Sequence, residues 1–106
     1  KAGNEASAIS SLRTLTTVNN QYRTRFQTYA SSFANLSAAG YIDSVLGSGT
    51  KSGYAFTYAG AGNTWTTSAA PSTAGTTGDR GFFVNESGVI RFSASGAATS
   101  ASSPLD

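Results

Sequence analysis

The stretch NEASAISSLRTLTTVNNQYRTRFQTYASSF, Asn4 to Phe33, contains neither Pro nor Gly. Apolar or aromatic residues fall at Ile9, Leu12, Leu15, Val18, Tyr22, Phe26, Tyr29 and Phe33. Steps of three and four keep those side chains on one face of a helix. Ser10, Arg13, Thr17, Asn20, Gln21, Thr24 and Gln27 fill the opposite face. The spacing predicts an amphipathic helix of roughly 45 Å at the usual rise per residue. Helices in globular proteins average only ~11–12 residues, so the excess length predicts a use beyond the domain's own core. The stripe also changes character, from aliphatic at Ile9, Leu12 and Leu15 to aromatic at Tyr22, Phe26, Tyr29 and Phe33. The aromatic half is expected to pack on the rest of the domain and the aliphatic half to serve a partner. Ordinary core along the whole stripe is the alternative that the helix alone leaves open. Asn4 is the available N-cap, and so abrupt a start fits a longer helix cut short.

Beyond the helix the period changes. Asn35 is placed to cap a single helical turn that Gly40 ends, with Tyr41 and Ile42 anchoring the connection in the core. Asp43 to Gly47 repeats that pattern, and Ser48 to Gly53 reads as a flexible loop. Tyr54, Phe56 and Tyr58 alternate with Ala55, Thr57 and Ala59, the period of a half-buried strand. Gly60 to Asn63 turns the chain into a return strand from Thr64 to Ala69, centred on Trp65. After a polar loop, GDRGFFVNESGVIRFS (Gly78 to Ser93) reads as a closing hairpin. Its turn is Asn85 to Gly88 with Gly88 at positive φ, and Phe83 with Val89 or Ile90 is expected to face the core. Ser93 to Asp106 is rich in small residues, the composition of a loosely held tail. The chain thus reads as one α+β domain over 1–106: a helix over 1–33, a linker with helical turns over 34–53, a sheet over 54–92 and a tail over 93–106. The architecture expected is the long N-terminal helix packed on a four-stranded antiparallel sheet.

Composition narrows the chemistry. Only 11% of the 106 residues are charged, a share common in secreted and surface-exposed proteins. The absence of Cys excludes disulfides and thiolate sites, and the absence of His removes the commonest general base and metal ligand. The seven Lys and Arg residues are scattered along the chain, whereas a nucleic-acid surface gathers them in a stripe. No apolar run reaches bilayer length and the start lacks the form of a signal peptide, so the chain as given reads as soluble. Glu5, Asp43, Asp79, Glu86 and Asp106 show no spacing suited to paired-carboxylate catalysis and read as scattered surface acids. Asp79, Asn85, Glu86 and Ser87 offer oxygen donors for a loose calcium site, but an extended strand between Asp79 and Glu86 holds them some ~20 Å apart. Gly47-Ser48-Gly49 and Gly60-Ala61-Gly62 lack the helix and lysine of a phosphate loop. The aromatic residues recur at helix and strand periods, which favours core packing over a sugar-binding face. No enzyme, metal site or cofactor is expected.

The order of these pieces resembles bacterial type IV pilins and the related type II secretion pseudopilins. The resemblance rests on NEASAISSLRTL in the helix, FANLSAAGYI in the link, the YAFTY strand and the closing GDRGFFVNESGVIRFS hairpin. It implies a subunit whose helix continues upstream into an apolar segment, which holds the precursor in the inner membrane and later forms the filament's centre. Partners are then copies of the chain or related pilins in an extracellular filament, with no nucleic acid bound by the subunit itself. Ile9, Leu12 and Leu15 become the expected subunit-packing residues, so that Asp at position 12 should block assembly and leave the head folded. Glu5 lies outside the apolar segment and does not take the role of the acidic residue found there. Many pilins close a C-terminal loop with a disulfide, which this chain cannot do. The alternatives are a pseudopilin of a secretion machine and, from another class, a secreted carbohydrate- or calcium-binding module.

Overall fold

A single helix leads the chain and an antiparallel meander is laid along one side of it. The computed structural model describes residues 2–42, 49–94 and 98–105, and the predicted turn from Asp43 to Gly47 lies outside them. Helix α1 covers Ala2–Phe26. Its inward stripe is Ala8, Ser11, Leu12, Leu15, Val18 and Asn19, all buried. Ala8 and Ser11, absent from the expected apolar stripe, are buried with it.

The predicted run of helix to Phe33 is corrected: α1 stops at Phe26, although no Pro or Gly stands there. Gln27 takes a positive φ of 63° while its N–H still bonds to Arg23 O at 2.6 Å. The chain then enters the core through Tyr29 and Ala30. The cause is tertiary. Tyr29 N–H donates to Gly62 O at 2.8 Å, and the Tyr58 hydroxyl donates to Ala30 O at 2.6 Å. Gly60 lies so close that a Cβ there would collide with the Ala30 carbonyl. These contacts outweigh the cost of about 1–2 kcal/mol for a non-glycine residue in the left-handed region.

Helix α2 covers Phe33–Ala38, with Ser32 at its N-cap in extended conformation. The predicted cap at Asn35 is therefore corrected. Asn35 sits inside the helix, where its Oδ1 accepts hydrogen bonds from the hydroxyls of Ser31 and Ser32. The helix ends at Gly40 as expected: Gly40 N–H bonds to Ser37 O and Tyr41 N–H to Leu36 O. Leu36 and Ile42 are buried, and Tyr41 meets the ring of Tyr22 edge-on.

The sheet has six strands in chain order: β1 Thr50–Lys51, β2 Tyr54–Gly60, β3 Trp65–Pro71, β4 Gly81–Asn85, β5 Arg91–Ser93 and β6 Ser103–Pro104. The four predicted strands are β2 to β5, so the expected count of four is corrected by one short strand at each edge. Two-residue strands carry no periodicity and exist through their pairing alone. Ser52 and Gly53 join β1 to β2 with φ of 52° and 75°, the pair of positive values that a two-residue hairpin turn of type I′ requires. At the other edge β6 pairs with β5. Leu105 N–H bonds to Ile90 O, Arg91 donates to Ser102 O and Ala98 is buried. The end of the chain, expected to be loosely held, is pinned without a disulfide.

Tyr54 and Phe56 of β2, Trp65 and Ala69 of β3, and Phe82 and Val84 of β4 face α1 and are buried. Phe83, predicted to point inward, does not: its register partners are Ser68 and Arg91, on the outer face. The run Phe82-Phe83-Val84 is apolar throughout, so alternation within it cannot choose a face, and pairing of Phe82 with Ala69 on β3 does. Of Val89 and Ile90, Ile90 is buried and Val89 is 39% exposed. Gly88 takes its expected positive φ, 78°. Among the described residues no helix is long and apolar enough to cross a membrane.

Candidate subunit-packing site

Leu12 and Leu15 have no exposed surface, and Ile9 is half-buried against the same cluster. The aliphatic half of the stripe, expected to meet neighbouring subunits, is largely enclosed by the domain's own core. Of the three residues only Ile9 keeps any surface for a neighbour. The sheet meets α1 chiefly through β4, and Leu12 and Leu15 belong to the same buried cluster as Phe82 and Val84 of that strand. The expectation of a folded head carrying Asp at position 12 is corrected with it, because a carboxylate there would be buried unpaired at large cost.

The N-terminal turns of α1 are tied to the sheet by polar contacts. Glu5 Oε2 accepts hydrogen bonds from the backbone N–H groups of Asp79 at 2.9 Å and Arg80 at 3.1 Å. Its other oxygen takes the Arg80 Nε–H at 2.9 Å. The Asp79 N–H chiefly, with the Arg80 N–H and guanidinium, holds the Glu5 carboxyl below its ordinary value, against an opposing contribution from burial. Placement in the first turn suits the positive end of the helix dipole as well. Beside it the Asn4 side-chain amide donates to Thr77 O at 3.0 Å, and the Tyr54 hydroxyl donates to Arg80 O at 2.7 Å. Glu5 is thus no scattered surface acid. A signal was present in the sequence: Glu5, Ala8 and Leu12 lie on one helix face, and a carboxylate on a buried stripe calls for a partner. Which loop supplies that partner has no counterpart in local pattern.

A second polar pin sits further along α1. Asn19 is fully buried; its amide donates to Leu15 O at 3.1 Å, and its oxygen, 2.8 Å from the Tyr58 hydroxyl, shares that group's single proton with Ala30 O. Burial pushes the Tyr58 hydroxyl up to about 12. Tyr58 stacks on Trp65 and meets Phe33, so aromatic packing lies in the sheet-facing core, as expected, while the aromatic end of α1 itself does not join it fully.

Phe26 is 43% exposed. It packs on Tyr22 and under the Arg25 guanidinium, while Arg23 lies over the Tyr29 ring. Among the described residues no carboxylate pairs with Arg23 or Arg25. Tyr22, Arg25, Phe26, Asn35, Ala38 and Ala39 line an open cleft of about 420 Å³ between the end of α1 and α2.

At the β4–β5 turn, Asn85 Oδ1 accepts from the N–H and hydroxyl of Ser87, and the Gly88 N–H bonds to Asn85 O. Asn85 spends its side chain on the turn, and the extended β4 separates Asp79 from Glu86. Among the described residues no group of three or more His, Cys, Asp or Glu side chains gathers in one place. Asp43 and Asp106 lie outside the described residues. Family models, curated proteins and solved structures were all compared with the chain, and none matches it.

Proposed function

We propose that the chain is a structural subunit that polymerises into a type IV pilus filament at the cell surface, held before assembly in the inner membrane by an upstream apolar segment. The observation that carries this reading is the disposition of α1. A 25-residue helix takes a meander sheet along one face and leaves Ser10, Arg13, Thr17, Asn20, Gln21 and Thr24 exposed on the other. A helix covered on one side only is suited to packing among copies of itself, and the long sheet-bearing head is suited to the outside of a filament. Supporting it is the resemblance in order and wording along most of the chain.

The test uses the natural gene. Cells carrying it should show surface filaments that bind antibody raised against this chain and that vanish when the gene is deleted. A natural reading frame without a long apolar segment ahead of Lys1, or filaments unchanged by deletion, would overturn the reading.

A further inference from the structure

We infer that successive copies of the chain dock head to tail through two different surfaces, the β4–β5 turn of one copy entering the α1–α2 cleft of the next. The inference rests on the filament reading for its purpose and names the contact that reading leaves open.

Two large apolar side chains are exposed among the described residues, Phe26 and Val89. Each is accompanied by charge, and the charges are opposite. Val89 follows the turn that carries Glu86, the one described carboxylate to which no hydrogen bond or ion pair is made. Phe26 lies in the cleft rimmed by Arg25, which has no carboxylate partner among the described residues. One surface is a knob with a negative charge beside it; the other is a recess with Arg25 at its rim and Ala38 and Ala39 in its lining.

Within one copy the two cannot meet. The turn rests on the middle of α1, where Gly88 stands against Thr16, and Arg25 lies roughly 13 Å further along the helix at the usual rise. The turn is also stiff for its size, braced by the Asn85 side chain and by Val89 N–H donating to the Ser87 hydroxyl. A knob held in place loses little freedom when it docks. Because knob and recess are different patches of one surface, the contact is heterologous, and such a contact repeats from copy to copy instead of closing on itself as a two-fold dimer does. Apolar insertion at the centre with opposite charges at the rim gives register as well as affinity.

The absence of Cys from the chain allows a direct test on the protein as it stands. Ala38→Cys and Val89→Cys are prepared as separate chains, mixed and oxidised gently; both positions are exposed, and thermal melting verifies that each variant keeps its fold. Random pairing makes half the disulfide dimers mixed. The inference requires mixed dimers to exceed the two same-site dimers severalfold. Glu86→Arg in the Val89→Cys chain should bring the ratio back to random, and Arg25→Glu in the Ala38→Cys chain, combined with it, should restore the excess. Random pairing from the outset would overturn the contact, as would a mixed excess indifferent to charge reversal. So would a cleft that binds a short single-stranded oligonucleotide through Arg25 and pairs at random, since a polyanion would then be its occupant. The filament reading fails separately: selective pairing in a chain whose cells carry no labelled filaments would refute that reading alone.

Discussion

The two ends of α1 are built on opposite plans. At the start, Glu5 and Asn4 grip the loop before β4 and Leu12 and Leu15 are buried in the core; at the finish, Arg23, Arg25 and Phe26 are exposed. The stripe of apolar spacing runs evenly through both. What differs is where the sheet reaches: β4 runs beside the first half of the helix, while the hairpin tip of β2 and β3 catches the chain just after Gln27 and draws it off the helix axis. Apolar character at a given spacing therefore says that a face can be buried, and the partner's position says which part of it is.

The sharpest way to break this contrast is at Leu15. Leu15→Ala should lower unfolding free energy by about 2–5 kcal/mol, a large part of the total for a domain of this size, read as a fall in denaturant midpoint. An unchanged midpoint would mean that the first half of α1 is not core. Gly60→Ala tests the point at which the helix is ended. The added Cβ must displace the Ala30 backbone, and a cost of about 1–3 kcal/mol is expected; a neutral result would show that segment 28–31 is not held by the hairpin tip.

Glu5→Gln sharpens the comparison at the clamped end. Loss of the charge-assisted bonds should cost about 1–2 kcal/mol near neutral pH. The folded carboxyl lies below its ordinary value of 4.5, so its contribution is complete above that value and disappears as pH falls through the lower folded one. The wild-type chain should thus lose stability on acidification below about pH 4.5 more steeply than Glu5→Gln does, and parallel acid melting curves would contradict the clamp. The smallest effect belongs to the open end. Phe26→Ala should change stability by less than about 0.5 kcal/mol, whereas a loss as large as that at Leu15 would place Phe26 in the core.

Much of the fold was legible because it is local. Alternation at Tyr54, Phe56 and Tyr58, the Gly40 helix end and the turn at Asn85 to Gly88 each follow from residues adjacent in sequence. The outward turn of Phe83 was not legible, because three apolar residues in a row fit either face until Ala69 pairs with Phe82. The end of the chain was misread for a related reason: Ser103 and Pro104 resemble a tail in composition, yet β5 offers them an open edge. At the candidate site the chemistry was visible and its use was not. Glu5, Arg25, Glu86 and Val89 can all be found by eye, but which is satisfied within the domain and which faces outward depends on loops distant in sequence.

Residue order alone determined that this is one α+β domain, with an amphipathic helix ahead of an antiparallel sheet and without the histidine or cysteine that many active sites use. Periodicity and composition suffice for that, since both act over a few residues. Tertiary structure decided where the helix ends, how many strands close the sheet, and which half of the apolar stripe is left in solvent. Those outcomes turn on contacts between segments far apart in the chain, such as Glu5 with Arg80 and Ala30 with Gly60, whose energies no local pattern records.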